Sequence, residues 1–209
     1  MSELLDALGA LCEDGAAREP GMAADLRRIR QALGGLTDLR PAASPPPKVV
    51  EAFLPGCLGL ARAPLAARLV AALDAARADI AWYPSKSYEN EPSMADFTPR
   101  YAVAPIVGPD RFGRQCPYFS DQIFLGVSLQ APATDYAAHA HRAVELYCIL
   151  AGSVDWQQGD GAWRPKAPGD FMRHEAHEPH AMRTGEAPLL ALFAWVSDVM
   201  SDVYLVDGR

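Results

Sequence analysis

The sequence contains no run of four or more basic residues, and its 19 Lys and Arg are outnumbered by 26 Asp and Glu, giving a formal charge of −7. No surface built from it presents the field that a phosphate backbone needs, so nucleic acid is not an expected partner. Pro, Gly or charge interrupts every apolar run before the roughly 18 to 20 residues that a membrane span requires. A basic, then apolar leader is also missing, since Met1-Ser2-Glu3-Leu4-Leu5-Asp6 is acidic; a cytoplasmic location is the expectation. The four cysteines, Cys12, Cys57, Cys116 and Cys148, lie 32 or more residues apart and form no CxxC pair. They suggest neither a zinc ribbon nor a disulfide framework, and read as free thiols.

Half of the 209 residues are apolar and 22% are charged, an ordinary balance for a chain that buries a core. Leu4, Leu5, Leu8 and Leu11, then Met22, Leu26, Ile29 and Leu33, recur at three- and four-residue steps, which predicts amphipathic helices with Ser2 as N-cap and Gly34-Gly35 as a stop. The stretch 41–47, with four prolines, breaks helical structure. A third helix is predicted over 64–80, with Pro64 in its first turn. Beyond it, short runs rich in Val, Ile, Leu, Phe and Tyr at 101–107, 122–129, 145–150, 152–157 and 189–197 predict strands of a sandwich or barrel. The expected organisation is a helical segment over 1–85 and a mainly β domain over 86–209.

All five histidines fall between positions 139 and 180. The first block, His139-Ala-His141-Arg-Ala-Val-Glu145, is followed six residues later by Gly152 in an HxHx3Ex6G pattern. Residues two apart on a strand share a face, so His139 and His141 can both turn inward, with Glu145 rejoining them from the next strand or after a bend. Two imidazoles and a carboxylate suit Fe(II), Zn(II) or Mn(II). The second block, Pro168-Gly169-Asp170 and then His180, places a tight turn before a strand and a fourth ligand after it. His174 and His177 compete for that place; counting from the turn favours His180 and leaves the other two as loop or rim residues.

These two blocks, in this order, resemble the cupin superfamily, which implies a β-barrel from about residue 100 onward. The wording Tyr136-Ala-Ala-His139-Ala-His141-Arg-Ala-Val-Glu145-Leu-Tyr147, with the later Pro179-His180-Ala-Met182, is similar to cupin-type dimethylsulfoniopropionate lyases of the DddQ group. That resemblance implies one divalent metal held by His139, His141, Glu145 and His180, and β-elimination of a small zwitterion to acrylate and dimethyl sulfide. It marks Tyr147 and Tyr136 as candidate bases and Trp195 as a wall of the pocket. A sulfonium is drawn to aromatic faces, which adds Tyr118, Phe119 and Trp163 as candidates beside Trp195. Another metal-dependent cupin enzyme, a dioxygenase or isomerase, and a non-catalytic binding protein are the competing readings, and a homodimer is a possible assembly.

Overall fold

A computed structural model of the chain describes residues 1–42 and 44–206. Four helices come first: α1 (Ser2–Arg18), α2 (Ala23–Gly34), α3 (Lys48–Leu60) and α4 (Pro64–Ala75). The strands follow as β1 (Tyr83–Pro84), β2 (Tyr101–Gly108), β3 (Tyr118–Phe119), β4 (Phe124–Gln130), β5 (Asp135–Ala140), β6 (Glu145–Ala151), β7 (Val154–Gln158), β8 (Arg164–Lys166), β9 (Phe171–His174), β10 (His180–Thr184), β11 (Leu189–Trp195) and β12 (Tyr204–Leu205). No helix among the described residues is long and apolar enough to cross a membrane.

The helices confirm the three-and-four periodicity, since Leu4, Leu8 and Leu11 of α1 and Leu26, Ile29 and Leu33 of α2 are the buried stripe. Pro64 is the first residue of α4, where its missing N–H costs nothing. Two details differ from expectation. Ser2 lies inside α1, Met1 holds the cap position, and no side chain caps that end. Helix α3, where no helix is predicted, forms across Pro55; burial of Val49, Val50 and Cys57 against the core holds the helix together despite the lost backbone hydrogen bond.

The strands make the expected two-sheet barrel. One sheet runs β1-β2-β4-β11-β6-β9, with β3 added to β2, and the other runs β12-β5-β10-β7-β8. The helices cover the outer face of the first sheet, and one apolar core joins them to Leu125, Val127, Leu146, Leu150 and Leu192. A second core, rich in aromatic residues, fills the space between the sheets. Gly152 ends β6 with φ +83°, and a Cβ there would sit 1.9 Å from the Pro188 carbonyl oxygen, so the last position of the HxHx3Ex6G pattern admits only glycine. Gly169, at φ +96°, makes the second block's turn, whose backbone bonds back to Ile149 of β6.

A candidate metal centre inside the barrel

Strand register assembles the site. His139 of β5 pairs directly with His180 of β10, so both rings leave the same face of their sheet. Glu145 opens β6 on the facing sheet, flanked in register by Trp195 of β11 and His174 of β9. His141 stands just past the end of β5, on the turn that leads to Glu145. Two serines of the chain's last segment fix that turn, accepting from the Arg142 and Val144 amides at 2.9 Å each through the Ser201 and Ser197 hydroxyls.

His141, Glu145 and His180 bring ligand atoms within 4.8 Å of one another, all buried. His141 Nε2 lies 2.8 Å and His180 Nε2 3.2 Å from Glu145 Oε2. His139 joins them with its ring centroid 4.1 Å from that of His180. Each histidine's other nitrogen meets a backbone carbonyl, which can only accept: His139 Nδ1 donates to Ala137, His141 Nδ1 to Ala143 and His180 Nδ1 to Glu178, at 3.0, 3.0 and 3.1 Å. These bonds fix the tautomer and leave the Nε2 lone pairs for the site.

A cation fits this arrangement. His180 Nε2 is buried without a hydrogen-bond partner, despite its closeness to Glu145. The Nε2 lone pairs of His141 and His180, 2.8 and 3.2 Å from a carboxylate oxygen, are repelled by it unless a proton or a metal ion relieves them. The same electrostatics appear in the titration behaviour. Burial pulls the pKa of His139 well down, with His180 adding to the effect. At His141 burial also acts downward, but Glu145 outweighs it and raises the pKa. Burial pushes Glu145 up, and His141 and His180 overcome it, so the carboxylate stays ionised.

The site lies at the end of a cavity of about 100 Å³, space for a few waters or one small organic molecule. Its wall is aromatic, with Tyr101, Phe124, Tyr136, Tyr147, Phe193 and Trp195; Arg111, Arg114 and Lys86 stand in its lining. Tyr136 stacks on His139 at 3.9 Å with the planes 7° apart, and its hydroxyl is 3.0 Å from that of Tyr88. The Tyr147 ring centroid is 6.1 Å from that of His180. Burial pushes both tyrosine hydroxyls well above their usual pKa; neighbouring tyrosines add to this at Tyr136 and the Glu145 carboxylate does so at Tyr147. Trp195 donates its indole N–H to Glu145 Oε1 at 2.7 Å.

Of the residues singled out from sequence, His139, His141, Glu145, His180, Tyr136, Tyr147 and Trp195 converge. Tyr118 does not: β3 pairs with β2, and its ring packs into the helix-side core, outside the cavity lining. Phe119 is 56% exposed, and Trp163 lies under Arg183 at 4.0 Å, outside the cavity lining. His174 is not a solvated rim residue. It is fully buried, stacks on His180 at 4.1 Å and accepts the Trp156 indole N–H at 3.1 Å. That bond occupies its Nε2, whereas His177 bonds the exposed Tyr204 hydroxyl at 2.9 Å. Motif spacing does not mark Tyr101 and Arg111, which line the cavity from β2 and from a loop, or Tyr88, which meets the site through its bond to the Tyr136 hydroxyl.

A family model described as dimethylsulfoniopropionate lyase matches residues 25–191. The curated dimethylsulfoniopropionate lyase DddQ of Ruegeria pomeroyi is 32% identical over 113 residues, 54% of each chain, so the match spans about half of that relative. A putative dimethylsulfoniopropionate lyase DddL of Cereibacter sphaeroides is 29% identical over 174 residues, covering 81% of this chain and 69% of its own. The crystal structure of the dimethylsulfoniopropionate lyase DddQ from Ruegeria pomeroyi superposes with a TM-score of 0.76, at 26% identity and over 100% of both chains.

Proposed function

The chain belongs to the dimethylsulfoniopropionate lyase family, and from that membership we propose that it cleaves dimethylsulfoniopropionate to acrylate, dimethyl sulfide and a proton inside the barrel. The observation that carries the reading is the convergence of three imidazoles, each locked by its Nδ1–H on a backbone carbonyl, and one ionised carboxylate at the end of a small aromatic cavity. His139, His141, Glu145 and His180 hold one divalent ion, Fe(II), Zn(II) or Mn(II) by the chemistry of the donors. When bound, that ion supplies Lewis acidity, neutralising charge that builds on the substrate carboxylate and stabilising a neighbouring phenolate.

The residues of the chain do the rest. Tyr147 acts as the base: its hydroxyl is set beside Glu145, while the hydroxyl of Tyr136 is already shared with Tyr88. The phenolate oxygen takes the proton from the carbon next to the carboxylate, the electron pair forms the C=C bond of acrylate, and the C–S pair leaves with dimethyl sulfide. Tyr136, stacked on His139, orients the ligand and closes the wall. The sulfonium faces the aromatic lining, in which Trp195 joins Tyr101 and Phe193, for roughly 0.5 to 2 kcal/mol. The helices of segment 1–85 serve as the outer layer of the barrel, since they share one core with the sheet behind Glu145, while Tyr83–Pro84 at its end adds the edge strand β1.

Gas-phase detection of dimethyl sulfide with acrylate measured in parallel tests the proposal. The expected outcome is equimolar product from metal-loaded protein without dioxygen. Absence of both products at millimolar substrate, with metal bound, overturns it.

A further inference from the structure

Antiparallel pairing sets Trp195 of β11 directly opposite Glu145 of β6, and both side chains turn into the barrel. The indole N–H reaches Glu145 Oε1 at 2.7 Å, the short distance of a bond to a charged acceptor. The indole has little room to turn. Its ring meets His141 at 4.7 Å, the Phe124 ring at 5.5 Å and the Arg111 guanidinium at 5.3 Å, and it is 5% exposed. Arg111 is itself tied to the Val199 and Ser201 carbonyls at 3.1 and 2.9 Å. With Oε1 held this way, Glu145 turns only Oε2 toward His141 and His180.

We propose that Trp195 is a positioning residue of the metal centre: its N–H fixes Glu145 so that one carboxylate oxygen faces the ion and the other is withheld. This rests on the metal reading above and adds to it a duty for Trp195 separate from contact with substrate. A free carboxylate can rotate or offer both oxygens to the ion, which weakens the set and takes a position that a substrate carboxylate needs. Partners that orient a ligand in this way typically matter 10- to 100-fold for metal affinity.

The experiment is Zn²⁺ titration of metal-free protein against a chromophoric chelator. Trp195→Phe keeps a ring in the wall and removes the N–H; its Zn²⁺ affinity is expected to drop about 10- to 100-fold. Trp163→Phe makes the same change at a ring outside the cavity lining and is expected to stay within about threefold. A Trp195→Phe protein that binds Zn²⁺ like the wild type overturns the proposal. Wild-type protein that takes up no Zn²⁺, Fe²⁺ or Mn²⁺ overturns the metal reading together with it, so the two failures are distinct. Should Trp195→Phe not fold, the wild type carries the test by ¹⁵N-indole NMR. The Trp195 N–H is expected to exchange slowly and to shift on Zn²⁺ addition, and a fast-exchanging, unmoved resonance overturns the assignment.

Discussion

The two faces of the sheet that carries Glu145 make an instructive contrast. Along β6 and β11, Leu146, Cys148, Leu150, Leu190, Leu192 and Ala194 point outward to the helices, while Tyr147, Ile149, Ala191, Phe193 and Trp195 point into the barrel. Both sets are buried, and they differ in composition. The outer set on these two strands is aliphatic and needs only volume and shape, as packed interiors do. The inner core is aromatic and holds buried histidines and a carboxylate, each with polar partners to satisfy. A single alternation therefore separates residues that hold the fold from residues that perform chemistry, one position apart in the sequence.

Breaking the contrast from the inside has the largest effect. Tyr147→Phe is expected to cut turnover by about 10²- to 10⁴-fold, the range for loss of a general base, while metal content by elemental analysis and the thermal midpoint stay near wild type. His141→Ala is expected to remove metal and activity together. From the outside, Leu150→Ala empties space behind the same strand and is expected to cost about 2 to 5 kcal/mol in denaturant unfolding. Turnover per folded molecule should then remain within about twofold. A Leu150→Ala protein that kept its stability but lost turnover would dissolve the separation of the two faces.

His174 sharpens the comparison, because it belongs to the inner face without being one of the proposed ligands. His174→Ala leaves the Trp156 indole N–H unpaired and removes the ring stacked on His180. About 1 to 3 kcal/mol of stability and about tenfold in metal affinity are expected to go with it. His177→Asn, three residues away and bound only to an exposed tyrosine hydroxyl through its side chain, should change neither. Asparagine suits that position, since His177 sits at φ +65°.

The difference between these histidines shows what could be read in advance. The spacing of His139, His141, Glu145 and Gly152 is local, and a strand with a turn after it brings those residues together whatever else the chain does. The barrel was legible for the same reason, since alternation and turn residues are properties of short segments. His174, Trp156 and Tyr88 are not local. Their places depend on which strands pair and in what register, and nothing near them in sequence records the partner. Tyr118 misled because an aromatic residue near a β-segment says nothing about which side of the sheet it faces. Helix α3 is not legible in the same way, because Pro55 is a local signal against a helix that burial in the helix-side core overrides.

The smallest expected effect separates the two cores by their thiols. Cys12, Cys57 and Cys148 lie in the helix-side core, and Cys116 lies inside the barrel. Burial pushes Cys12 and Cys57 up from 9.0 to about 12, the Arg30 guanidinium partly opposing it at Cys12. The folded thiols thus stay neutral where an unfolded chain would ionise them. Stability owed to these groups is complete below pH 9 and declines above it, because the unfolded state sheds protons that the native state keeps. Each such thiol lowers stability by about 1.4 kcal/mol per pH unit above 9, until the folded group itself ionises near pH 12. Denaturant midpoints at pH 8, 9.5 and 10 measure the slope, and Cys57→Ala is expected to flatten it by one proton. An unchanged slope would mean that α3 opens and exposes Cys57 well below global unfolding, so that the helical layer melts before the barrel behind it.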